Sequence, residues 1–193
     1  ETYLQEADGT VWHTAKSGST ATPFFLTTDA AEGTWDLWFP GQSGCYYTNV
    51  NTTKKLWTAL WMPTLNVSGI DGGITMEYKR DKNQWQGIFT ATGAGTINIQ
   101  MNGTGKLYDN TSVSGADNSI DDTKAKDTPF AFSGSANELT FNTGTNVSAG
   151  NITVNVPAAG ECTLIIDLND PQAWKVEVTE GGSIEPTYPS YLE

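Results

Sequence analysis

Apolar and polar side chains alternate along most of this chain. Ile152, Val154 and Val156 interleave with Asn151, Thr153 and Asn155; Trp174, Val176 and Val178 interleave with Lys175, Glu177 and Thr179. Ile97, Ile99 and Met101 alternate with Asn98 and Gln100, and Trp35, Leu37 and Phe39 with Asp36 and Trp38. Successive side chains of an extended strand point to opposite faces. A period of two therefore describes a strand with one face in a core and the other toward water. Turn-forming groups separate the runs: Asp8-Gly9, Pro40-Gly41, Asp71-Gly72-Gly73, Asn102-Gly103 and Asp170-Pro171. Short strands at this spacing predict an all-β fold, an antiparallel β-sandwich of immunoglobulin-like or jelly-roll-like type with at most a few helical turns.

The 193 residues suffice for one large β domain or two small ones. One sandwich over 1–193 is the simpler reading, with a boundary inside 102–127 as the alternative. That stretch has only Leu107, Tyr108, Val113 and Ile120 as sizeable apolar residues, so it reads as a long loop or a connection. The tail after Gly182, with Pro186 and Pro189, is expected to run along the surface. One segment reads two ways. In Lys54–Met62, Leu56 with Leu60 and Trp57 with Trp61 fit a short helix stopped by Pro63, and equally a strand. Both readings put Trp57 and Trp61 on one side.

Charge narrows the function. The net charge is −12, with thirteen acidic and three basic side chains after residue 108 and a single arginine, Arg80. Phosphate recognition depends on Lys and Arg, so nucleic acid and polyanionic partners are disfavoured. The small basic group Lys79, Arg80 and Lys82 reads as a solvated hairpin end. No run is long enough for a transmembrane helix, which predicts a soluble chain. Nothing like a signal peptide opens it, so this end carries no reading of localisation. Cys45 and Cys162 are too far apart in sequence for a metal motif; they either pair or stay as buried thiols.

Catalytic constellations are hard to assemble. His13 is the sole histidine and sits in a strand-like run without a Gly-x-Ser-x-Gly elbow. A zinc site lacks grouped ligands. A glycosidase needs two carboxylates across a cleft; Asp36, Glu77, Glu138, Glu161, Asp167 and Glu177 are the strand candidates, and none forms a tight acidic motif. Asp117, Asn118, Asp121 and Asp122 supply oxygen donors at short spacing, but without the glycine and closing glutamate of a calcium loop. A solvated loop is the expectation, and neither catalytic residue, metal nor cofactor is assigned.

The surplus of aromatic residues is more informative. Trp35, Phe132, Phe141 and Trp174 fit a core face, whereas Trp38 shares its face with Asp36 and Trp85 stands among Asn83, Gln84 and Gln86. Trp57 and Trp61 flank Ala59 on one strand face, and Tyr46 and Tyr47 point to opposite faces. Rings beside amides suit sugars, because a pyranose lays its C–H face on an aromatic plane and directs its hydroxyls to amides and carboxylates. The expected ligand-binding set is Trp57, Trp61 and Trp85, with Trp38 in reserve and the amides of Asn83 and Gln86. Core packing of the rings stays equally open, and Tyr46 and Tyr47 come next if they are core.

The last third adds a resemblance. Phe130 and Phe132, Glu138-Leu139-Thr140-Phe141, Asn151-Ile152-Thr153-Val154-Asn155-Val156, Glu161-Cys162-Thr163-Leu164-Ile165-Ile166-Asp167-Leu168-Asn169 and Trp174-Lys175-Val176-Glu177-Val178 follow in order. Over residues 128–179 this resembles the repeating unit of glycan-binding surface lipoproteins of Bacteroidetes starch-utilisation-type systems, with Cys162 where that family usually has Tyr. The shared pattern is a β-scaffold signature, and no site residue transfers by motif. The resemblance implies a non-catalytic carbohydrate-binding sandwich on the extracellular face of the bacterial outer membrane. Its ligand would be a neutral glycan, its membrane attachment a lipid anchor outside this sequence, and its partner an outer-membrane transporter complex. The rival expectations are a structural adhesin or pilus-like module, with the aromatics as assembly contacts, and a glycoside hydrolase.

Overall fold

The computed structural model describes residues 3–5, 11–16 and 24–27 by backbone, and 44–54, 56–109, 111–112 and 121–182 with side chains. Among them the sole helical element is one 3-10 turn, Asp122–Lys124, and the rest of the regular structure is strand. The fold is all-β and antiparallel, as the alternation predicts. The expected strand at Trp35–Phe39, the Pro40-Gly41 turn and the tail after Gly182 lie outside the described residues. The chain forms two compact units, Glu1–Trp61 with Lys106–Asp127, and Met62–Gly105 with Thr128–Glu193.

In the first unit, β1 (Tyr3–Gln5), β2 (Val11–Lys16) and β3 (Phe24–Thr27) form an antiparallel meander. Next come β4 (Cys45–Asn51) and β5 (Leu56–Met62). The two-way segment is therefore a strand. It pairs with the end of β9 (Gly95–Asp109), from Thr58 against Asp109 to Trp61 against Lys106. Trp57, Ala59 and Tyr108 form a buried cluster, with Tyr46, Val50, Trp61 and Ala125 packed on it.

The second unit is a sandwich. One sheet joins β6 (Asn66–Ser68), the Gly95–Gly105 part of β9, β10 (Lys126–Ser135), β11 (Glu138–Thr143) and β12 (Ile152–Val156). The other runs β14 (Lys175–Glu180), β13 (Gly160–Asp167), β8 (Gln84–Ala91), β7 (Glu77–Lys79). Ile152, Val154 and Val156 are buried while Thr153 and Asn155 are exposed. From β13 the inward set is Cys162, Leu164 and Ile166, opposite Phe89, Gly87 and Trp85 of β8. The β14 edge is tied to the β10–β11 hairpin: Leu139 N–H donates to the Trp174 carbonyl at 2.8 Å and Val176 N–H to that of Ala136 at 2.7 Å. The Phe132, Phe141 and Trp174 rings close the same corner, with centroids 5.2 to 6.3 Å apart.

Two expectations are corrected. Residues 102–109 and 126–127 of the supposed loop are strand. Their period was hidden because glycines fill the inward positions. Gly103 faces the Phe130 ring, and a Cβ there would strike that ring and come within 2.8 Å of the Thr64 carbonyl oxygen. Of the two readings left open for Cys45 and Cys162, the structure has both side chains buried with no disulfide between them. Lys79 is no solvated hairpin residue: it is 3% exposed and pairs with Glu77 at 2.9 Å.

Gly103→Ala should therefore overpack the second unit and cost about 1–3 kcal/mol. Urea unfolding followed by tryptophan fluorescence should show the loss. A midpoint equal to wild type would mean that the Phe130 contact can relax.

Candidate functional site

The structure separates the expected site residues. Trp57, 4% exposed, and Trp85, 2% exposed, are core side chains, so the expectation that their rings reach solvent is corrected. Trp85 sits on the inward face of β8 at 5.4 Å from the Tyr78 ring. Trp61 is half-buried against the Trp57 cluster. The indole N–H groups of all three are buried without a hydrogen-bond partner, and Trp61 keeps part of its ring exposed. Trp38 lies outside the described residues. Tyr46 and Tyr47 are half-buried on β4.

Asn83 is structural as well. It ends the turn before β8 at φ 48°, a left-handed conformation that asparagine tolerates better than most residues. Its Oδ1 accepts from the Tyr78 hydroxyl at 2.7 Å, and its Nδ2 donates to the Leu168 carbonyl at 2.9 Å. The amide is spent on holding the β7–β8 turn against the end of β13.

Gln86 of the expected set lines a cavity. On the outward face of the second sheet, Gln86 pairs with Ile165 of β13, and Thr163 pairs with Thr179 of β14. These residues, with Lys82, Glu180 and Gly181, line an open cavity of about 250 Å³. Gln86 is 6% and Thr163 5% exposed, low values for polar residues on the face opposite the core. Part of the cover comes from the chain itself. After β14 the backbone turns at Gly181, φ 89°. There Gly181 N–H donates to the Glu161 carbonyl at 2.9 Å, and its own carbonyl accepts from the Thr163 hydroxyl at 2.7 Å. A Cβ on the next residue, Gly182, would collide with the Glu161 side chain. Gly181 thus lets the chain turn at the rim of the cavity. Sequence reading missed Thr163, Thr179 and Gly181; the signal was the Gly181-Gly182 pair just after a strand.

The cavity is chemically mixed. Gln86 Nε2 donates to Gln84 Oε1 at 2.8 Å, which leaves its carbonyl oxygen and second N–H for a ligand. The Thr163 hydroxyl donates to Gly181 and keeps its acceptor capacity. Ile165 gives an apolar floor, with the Lys82 ammonium and Glu180 carboxylate beside it.

The strand carboxylates of this sheet lie on three of its strands. Glu77 and Glu177 lie on the outer strands of this sheet, three strand spacings or about 14 Å apart, against the roughly 5–9.5 Å such pairs need. Asp167 lies on β13, beside the strand of Glu177. Partial burial pushes its carboxyl up, but bonds from Asn169 N–H and Nδ2 and from Gln84 Nε2 outweigh that and hold it below its usual range, the wrong direction for a general acid. Asp36 lies outside the described residues. In the first unit Asp121 caps the 3-10 turn, accepting from Thr123 N–H at 3.0 Å. Asp122 accepts from the Tyr108 hydroxyl at 2.9 Å. Burial first, then this bond and the Asp122 charge, push the Tyr108 phenol up. No metal-ligating cluster occurs among the described residues; Asp117 and Asn118 lie outside them.

Two family models match the chain: one described as domain of unknown function DUF5111 over residues 1–62, and one as domain of unknown function DUF5114 over residues 66–182. The first match ends beside the break between the units at Trp61, while the second also takes in Lys106–Asp127 of the first unit. No curated protein and no solved structure matches.

Two outcomes follow. Trp85→Ala should cost about 3–5 kcal/mol, as for a core aromatic, and a melting temperature near wild type would instead return the ring to the surface. Asp167 has a folded pKa below the ordinary 3.8. Its stabilisation is thus present above pH 3.8 and lost as pH falls through the folded value. Asp167→Asn should therefore be less stable than wild type at neutral pH, with the gap closing in acid. A gap that does not change with pH would contradict this.

Proposed function

The chain belongs to the DUF5114 family, whose match over residues 66–182 takes in every residue lining the β8–β13–β14 cavity, and we propose that this cavity holds one neutral sugar unit of a glycan without cleaving it. The observation that carries the reading is the pair of buried polar side chains, Gln86 and Thr163, set around the Ile165 floor. Each already has one partner in the chain, Gln84 for the amide and the Gly181 carbonyl for the hydroxyl, and each keeps bonding capacity that sugar hydroxyls can meet as donors or acceptors. A pyranose also offers a C–H face for isoleucine. The volume lies under the roughly 300–1,000 Å³ of drug-sized pockets, which suits a single ring. The net charge of −12 favours a neutral ligand over an acidic one.

The scaffold resemblance of residues 128–179 supports the setting: a non-catalytic module on the bacterial cell surface, tethered by a lipid anchor outside this sequence and working beside an outer-membrane transporter. The ligand contacts move from the expected Trp57, Trp61 and Trp85 to Gln86, Thr163, Thr179 and Glu180.

Calorimetry with neutral gluco-, manno- and xylo-oligosaccharides tests the reading. At least one should bind, polyuronate and sulfated glycans should not, and no reducing sugar should be released. The Gln86→Ala/Thr179→Ala variant should lose several-fold affinity and keep its melting temperature within a few degrees. Undiminished binding by that variant, or preference for a polyanion, would remove the cavity as the site.

A further inference from the structure

In the other sheet, the outward face of β6, β9 and β12 is built from uncharged polar side chains. Along β9 it presents Thr96, Asn98, Gln100, Asn102 and Thr104, all exposed, while Ile99 and Met101 are buried beneath. The register sets Asn66 and Ser68 of β6 beside Asn102 and Gln100. It sets Thr153 and Asn155 of β12 beside Asn98 and Thr96. These four are exposed too. None of these side chains is ionic and none is aromatic, in a chain of net charge −12. Surfaces that serve only solubility carry Lys, Arg, Glu or Asp at about a quarter to a third of positions.

The amides are also ordered in advance. Gln100 Nε2 donates to Asn151 Oδ1 at 2.7 Å, and the Thr153 hydroxyl donates to Asn98 Oδ1 at 2.7 Å. These cross-strand bonds restrict rotamers that a ligand would otherwise have to order. They leave the Asn98 NH₂ and the Gln100 carbonyl oxygen for a partner. Like-facing residues repeat about every 6.7 Å along a strand and neighbouring strands lie about 4.8 Å apart, so Thr96 to Thr104 makes a regular polar grid about 27 Å long.

We propose that this face is a second binding surface, which takes an extended neutral polysaccharide chain lying along β9. Uncharged amides and hydroxyls lose less on desolvation than ions do, and each can meet a sugar hydroxyl as donor or acceptor. A polyanion finds no Lys or Arg on the grid, and a protein partner finds no aromatic or arginine anchor. The ligand class rests on the glycan reading of the cavity. The residues do not, since the cavity lies on the other sheet of the same unit.

The test titrates the full chain with long soluble glucan, mannan and xylan, and with short oligosaccharides of the same sugars. Asn98→Ala/Gln100→Ala/Asn102→Ala removes amide donors and acceptors at exposed sites. It should weaken polymer binding roughly tenfold and leave oligosaccharide binding unchanged. Gln86→Ala/Thr179→Ala should weaken oligosaccharide binding several-fold. Asn66→Ala/Asn155→Ala, on the flanking strands, carries the test if the triple variant fails to fold, and should also weaken the polymer alone. The proposal is overturned if the face variants bind polymer as wild type does, or if wild type holds the polymer no more tightly than the oligosaccharide. Absence of all glycan binding by wild type would bring down the cavity reading and this one together, whereas loss confined to the face variants leaves only the cavity in question.

Discussion

The register of β8 on β13 is the constraint from which the second unit's chemistry follows. Eight residue pairs run from Gly160 against Ala91 to Asp167 against Gln84. With that alignment Trp85 and Ile166 go into the core together, and Gln86 and Ile165 go out together. A slip of one residue on either strand would bury the glutamines and expose the indole. The cost of burying unpaired amides makes that slip unfavourable. Packing thus fixes the polar face opposite: the cavity exists because Trp85, Phe89, Leu164 and Ile166 cannot be anywhere but inside.

The same rule explains why tryptophan was a poor guide to the site. Trp85 has polar neighbours in sequence, and that context suggested an exposed hairpin end. Yet Trp85, Phe89 and Ala91 share one parity, and all are buried. The neighbours are polar because they occupy the other face. Trp57 is similar, sharing its parity with fully buried Ala59. A small residue between two large ones let the cluster close on Tyr108. Composition said that the chain had rings to spare, but parity decided where they went.

Polarity is distributed as purposefully as the rings. The second unit has two outward sheet faces, and they differ. The β8–β13–β14 face includes Glu77, Asp167 and Glu177 together with the open cavity, whereas the β6–β9–β12 face carries only amides and hydroxyls along its strands. Long-range attraction is weak for a neutral ligand. A sugar would then be held by short directional bonds, and both faces supply these from positions that the backbone ladder keeps rigid.

By itself the sequence determined the strands that alternate cleanly, with their inward and outward residues, and the negative field, because each is a local property: a period of two and a count of charges. Ile152-Thr153-Val154-Asn155-Val156 was legible in full for that reason. It did not reveal the strand through Gly103 and Gly105, where close approach of Phe130 replaced the apolar signal with glycine. Nor did it reveal the cavity. Gln86, Thr163, Thr179 and Gly181 are brought together across three strands by β pairing and by a turn at Gly181. Only the tertiary structure decided that meeting, since residues up to 95 positions apart share no local pattern until the ladder forms.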